Sequence, residues 1–166
     1  MYLVDTNVLS AGAPTKARSS PALADWMDRN SKGLFLSVVT VAEIEDGIAK
    51  ARREGAPRKA ERLDEWLETV RHLYTARILV LDVPVARLVG QLADQARGAG
   101  HSPELADLTI SATARFHGYV VLTRNLRHFR VLVPTIAKAR VVIRRGNESD
   151  SPGDPDRPDH QGTAGA

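Results

Sequence analysis

Three acidic residues of this chain stand where a carboxylate is costly. Asp5 closes the apolar run Met1-Tyr2-Leu3-Val4, which reads as a buried first strand. Glu43 lies one turn into a helix that follows Leu34-Phe35-Leu36, and Asp107 lies inside a helix that is apolar on nearly every side. A charge in such a place must be paired or must bind a metal. If the three groups converge, the reason is a cation, and the chemistry is metal-dependent.

Each residue also has a plainer explanation. Asp5 can cap or turn the segment Val8 to Ala11. Thr40-Val41-Ala42-Glu43 fits a capping box, in which the glutamate reaches back to the helix-start amide. Asp107 can pair with an arginine inside the fold, although aspartate is a poor helix former and has no cap to make there. Around Asp5, Thr6 and Asn7 add polar groups at the mouth of the first strand. A fourth polar element, Thr123-Arg124-Asn125 followed by Leu126-Arg127-His128-Phe129, brings hydroxyl, guanidinium, amide and imidazole together after another strand. It reads either as a phosphate-contacting and water-positioning loop or as a generic polar loop anchored by Phe129. At 100° per residue, Leu105, Ala112 and Phe116 form one apolar stripe of the Asp107 helix, and Asp107 falls among small residues beside Ser111 and Ala114.

The composition narrows the field. With no cysteine, disulfides and thiol catalysis are excluded and a structural zinc site is disfavoured. There is no P-loop, GxGxxG, GxSxG or HExxH motif, and the five histidines show no metal-ligand spacing. No apolar run is long enough to cross a bilayer. The direct entry into Asp5 leaves no room for a signal peptide, so a cytoplasmic location is expected. The net charge of +3 conceals an asymmetry: beyond Asn147 five acids face one arginine, which leaves the body near +7. A basic body favours polyanions such as nucleic acid, unless its Arg and Lys side chains are merely solvated helix faces.

The elements that must position these residues alternate. Strands are expected at Tyr2–Asp5, Leu34–Val38, Ile78–Leu81, Tyr119–Thr123 and Arg140–Ile143. Helices are expected from Ser20-Pro21 to Asp28, Thr40 to Arg53, Pro57 to Tyr74, Pro84 to Arg97, and Ser102-Pro103 to about His117. Strands separated by helices predict an α/β fold with a parallel sheet covered on both faces. Ligands of such sheets bind beyond the carboxyl ends of the strands, where Asp5 and Thr123 fall. Residues 1–145 read as one domain, and 146–166, rich in Pro, Gly, Ser and Asp, as a disordered acidic tail.

Four segments occur in order: Val4-Asp5-Thr6-Asn7-Val8-Leu9, Leu36 to Glu43, Ala106-Asp107-Leu108-Thr109-Ile110-Ser111-Ala112-Thr113-Ala114, and Leu122-Thr123-Arg124-Asn125. Together they resemble the PIN-domain ribonucleases, in particular the VapC and FitB-like toxins of toxin–antitoxin pairs. The resemblance spans roughly residues 1 to 143. It implies a three-layer α/β/α fold, magnesium or manganese dependence, RNA cleavage, a homodimer and a small VapB-like antitoxin. By motif match, Asp5, Glu43 and Asp107 correspond to the family's acidic metal ligands. One position departs: many members carry a fourth acid where this chain has Asn125, and His128 stands at a nearby position where others carry Asp. An amide can orient a metal-bound water but adds no charge, so the number of ions held is left open.

The expected chemistry follows from that set. Three carboxylates about 5 Å apart repel by roughly 3 kcal/mol per pair at an effective dielectric near 20, and a divalent ion removes the penalty. Magnesium takes oxygen donors and keeps several waters. It would activate one of them and neutralise charge on the cleaved phosphate. Asn125 completes the catalytic set, while Asn7, Thr123, Arg124 and Arg127 are the expected substrate contacts, with Lys50 or Arg53 as further phosphate partners. Two other readings stay open: a catalytically silent PIN fold that binds RNA or protein, and a phosphatase with an aspartyl nucleophile, which would need an acid at the position of Asn7.

Overall fold

The computed structural model describes residues 1–16, 21–125, 128, 129, 132, 141 and 142. Five parallel strands form its sheet: β1 (Tyr2–Val4), β2 (Leu34–Ser37), β3 (Ile78–Leu79), β4 (Val120–Leu122) and β5 (Val141–Val142), in the order β3-β2-β1-β4-β5. The helices are α1 (Thr6–Leu9), α2 (Pro21–Arg29), α3 (Val38–Arg53), α4 (Pro57–Leu73), α5 (Val83–Gly98) and α6 (Leu105–His117). The acidic tail lies outside the described residues.

The pleat divides the core in two. Leu3 pairs in register with Phe35 and Val121, and these three face α5 and α6 in one apolar layer. Tyr2, Val4, Leu34, Leu36 and Leu122 point the other way, against α1, α2, α3 and α4. Strands buried on both faces need near-continuous apolar runs rather than alternation, and Tyr-Leu-Val, Leu-Phe-Leu and Val-Val-Leu supply them. Both faces are covered by helices, so the three-layer α/β/α arrangement expected from the alternation of elements is the observed one.

Several boundaries differ from the sequence reading, each for a local reason. Ser37, not Thr40, caps α3: its side chain accepts from the Val39 amide at 3.3 Å. The helix therefore begins at Val38, Thr40 is already inside it, and no capping box forms. β3 stops at Leu79 because its partner β2 ends at Ser37, so Val80 and Leu81 have no ladder to join. The segment from Ser102 to Pro103 stays outside α6, whose N-cap position is Glu104, with no side-chain cap bond. The expected stripe of α6 holds only at its centre: Ala112 is buried, but Leu105 and Phe116 at the two ends are exposed.

Candidate active site

β1 is the middle strand, with β2 and β4 on either side. This order brings the residues that follow three strands to one end of the sheet. Asp5 stands there, only 5% exposed. Its amide donates to the Leu122 carbonyl at 3.0 Å, so contact with β4 continues one residue past the strand. Asp5 occupies the N-cap position of α1, yet its side chain makes no cap bond. Its Oδ2 instead accepts from Asn7 Nδ2 and from Thr123 Oγ1, each at 2.5 Å. The plain capping explanation for Asp5 therefore fails, and the carboxylate is aimed at the mouth of the sheet.

Asn7 and Thr123 lock that corner. Asn7 Oδ1 accepts from the Arg124 amide at 3.0 Å, and Thr123 Oγ1 accepts from the Asn125 amide at 2.9 Å. The turn after β4 is thus tied to the turn after β1. The Arg124 side chain is exposed at this rim, and Asn125 is half-buried beside it. Arg127 lies outside the described residues.

Glu43 reaches the same corner from the second turn of α3, where its Oε2 accepts from Thr6 Oγ1 at 2.5 Å. Asp107 arrives from the first turn of α6, which is buried without a break from Asp107 to Ala114. Asp107 Oδ2 lies 2.8 Å from His128 Nδ1, so the internal partner is a histidine. Two hydroxyls, Thr40 Oγ1 and Ser111 Oγ, are buried without a partner. Each sits one helical turn from one of these two carboxylates.

The electrostatics tie Asp5 to the other two acids. Burial pushes the Asp5 carboxyl up to about 6, the Thr123 hydroxyl opposes this, and the charges of Asp107 and Glu43 add to it. Burial also raises Asp107, against the hydrogen bond and charge of His128, with Glu104 adding to the rise. Each carboxylate is at present held by a neighbour: Asp5 by Asn7 and Thr123, Glu43 by Thr6, Asp107 by His128. As they stand, no three acid or histidine groups among the described residues lie close enough to enclose an ion.

One feature beside these acids escaped the sequence reading. A cavity of about 310 Å³ opens next to Thr6 and Glu43, between α3, α4 and the segment Ser10 to Lys16. In the sequence Trp66 only shares helical spacing with Leu63, Leu67 and Val70. Its place in a cavity wall depends on how α3 packs on α4, which no local pattern announces.

The family model of the PIN domain matches residues 2–132. The chain belongs to the PIN-domain family. Among curated relatives, it is 34% identical over 131 residues to the toxin FitB of Neisseria gonorrhoeae, covering 78% of this chain and 91% of that protein. It is equally identical, 34% over 131 residues, to the VapC ribonuclease Y4jK of Sinorhizobium fredii, covering 78% of this chain and 90% of that protein. The crystal structure of FitAcB from Neisseria gonorrhoeae superposes with a TM-score of 0.71 at 32% identity, over 85% of this chain and 96% of that one. A structure of FitAB bound to an IR36 DNA fragment gives 0.69 at 30% identity, over 86% and 94%.

Proposed function

We propose that the chain is a divalent-metal-dependent endoribonuclease and the toxin half of a toxin–antitoxin pair. The observation that carries this reading is the placement of Asp5, Glu43 and Asp107, on three separate elements, at one end of the sheet, with Asp5 buried and the charges of the other two acting on it. The donor set fits a hard cation: three carboxylates with threonine and asparagine side chains around them, and no sulfur ligand in the chain. Asp5, Glu43 and Asp107 would hold magnesium or manganese. A bound ion would supply a nucleophilic water at neutral pH and neutralise charge on the phosphate.

The chain's own residues do the rest. Asn7 and Thr123 fix the Asp5 carboxylate through two short hydrogen bonds, so its rotamer is set before substrate arrives. Arg124, exposed at the rim, is placed to hold a flanking phosphate, and Arg127 is assigned the same task by sequence. Such contacts position a strand without reading its bases. Asn125 offers an amide to orient water. A relative is named a ribonuclease and another a toxin, which supports RNA as substrate and growth inhibition as the role. The FitAB complex with DNA supports a small VapB-like antitoxin partner, and a homodimer accompanies that assembly in the reading proposed here.

The test is Asp5→Asn. RNA cleavage with magnesium and growth inhibition should both be lost, while the circular dichroism spectrum is unchanged. Retained cleavage would refute the assignment. The silent-module reading has one observation in its favour, the existing Asp107–His128 pair. It predicts RNA binding with no product at any magnesium concentration.

A further inference from the structure

The cavity beside the acids has a composition that the cleavage reaction does not use. One wall is apolar, with Ile44 and Ala51 of α3 facing Leu63 and Trp66 of α4. The rim is cationic, with Lys16, Lys50 and Lys59. Its acids are accounted for: Glu54 stands 3.9 Å from Lys50, and Glu43 belongs to the metal-binding set. Lys16 and Lys59 have no ion pair among the described residues. Arg62 donates to the Pro14 carbonyl at 3.1 Å, which ties the segment forming one wall to the helix forming the other. The cavity is therefore held in shape by the fold.

We infer that this cavity is a nucleotide subsite, in which the base next to the scissile phosphate stacks on Trp66 and its neighbouring phosphate lies against Lys16 and Lys59. The chemistry of both parts points to single-stranded RNA. An aromatic face accepts any base, and lysines on the rim match a backbone phosphate. About 310 Å³ lies at the small end of ligand pockets, which suits one nucleotide and not a folded partner. Position argues the same way, because Thr6 and Glu43 line both this cavity and the acidic corner. A strand crossing the acids runs straight into it. A stacking platform with sequence tolerance would make the enzyme grip unpaired RNA and leave duplexes alone.

This rests on the ribonuclease reading, and the experiment separates the two. The chain has two tryptophans, and Trp26 is buried in the core, so a ligand can reach only Trp66. The full chain, in chelator to stop cleavage, is titrated with single-stranded oligo(A) while tryptophan emission is followed. Quenching is expected for the wild-type chain, and the anisotropy of a dye-labelled oligo(A), which needs no tryptophan, should show affinity weakened about 5- to 150-fold in Trp66→Ala and largely kept in Trp66→Phe. Lys16→Ala with Lys59→Ala should lower the slope of log affinity against log salt by about 0.7, the share of the one phosphate they hold. Quenching without magnesium-dependent cleavage would sink the ribonuclease reading and leave the subsite standing. Normal cleavage with no quenching and no effect of Trp66→Ala would overturn the subsite alone. Quenching by an acidic peptide but not by oligo(A) would also overturn it, in favour of a protein partner.

Discussion

At the scale of single residues, the acids are set against each other in the absence of a cation. A carboxyl whose pKa rises from 3.8 to about 6 in the fold binds its proton more tightly there than in the unfolded chain. The folded state is then favoured at low pH, and that advantage is lost as pH rises from about 4 through 6. The two-unit shift corresponds to about 3 kcal/mol at most. In chelator, the melting temperature should therefore be higher at pH 5 than at pH 7.5, and Asp5→Asn should flatten this dependence and melt higher than the wild type at pH 7.5. Added magnesium should raise the wild-type melting temperature at pH 7.5 and leave Asp5→Asn almost unmoved. A scan in which the wild type melts higher at pH 7.5 than at pH 5 in chelator would contradict the electrostatic account of Asp5. His128 belongs to the same scale. By engaging Asp107 it takes the part that the sequence assigned to an arginine, which no spacing could have revealed because the two residues meet through the fold.

At the scale of elements, the acids are only as well placed as the helix starts and strand ends that carry them. Ser37 begins α3 by accepting from the Val39 amide, and Glu43 hangs from that helix. Ser37→Ala should cost about 1 kcal/mol and lower the melting temperature by roughly 3 °C for a chain of this size, measured by calorimetry. Gly118 ends α6 with φ at +68°, a conformation that an L side chain pays about 1 kcal/mol to adopt; Gly118→Ala should show a comparable loss. Much of this was legible. Gly118 and Pro57 mark helix ends by backbone chemistry alone. The uninterrupted burial of α6 around Asp107 follows from its small and apolar residues. What could not be read was competition between two local signals, as when Ser37 displaced the Thr40–Glu43 capping pattern, and pairing length, as when β2 ended and left β3 two residues long. The approach of Asp5, Glu43 and Asp107 to one end of the sheet was suggested by resemblance. Its physical cause is strand order, and strand order is written in no single segment.

At the scale of the whole molecule, the end of the sheet that carries the acids also carries uncovered apolar surface. Val80 and Leu81, after β3, and Val83, the first residue of α5, are 64%, 45% and 74% exposed, and Leu105 at the start of α6 is 67% exposed. The sheet order puts Val80 to Val83 directly after β3, an edge strand. An exposed apolar run of this kind is the pattern of a surface that another chain covers. In the reading proposed above, that chain is a second copy. Light scattering on the purified 18.1 kDa chain should then report twice the monomer mass at micromolar concentration. Val83→Glu places a charge in the centre of the patch, where it would be desolvated on association, and should return the mass to that of one chain. Because Val83 is exposed and opens the first turn of α5, where an acidic side chain suits the helix dipole, the substitution should leave the melting temperature of the monomer within about 1 °C. A wild-type chain that runs as a monomer, or a Val83→Glu chain that remains a dimer, would move the self-association surface elsewhere.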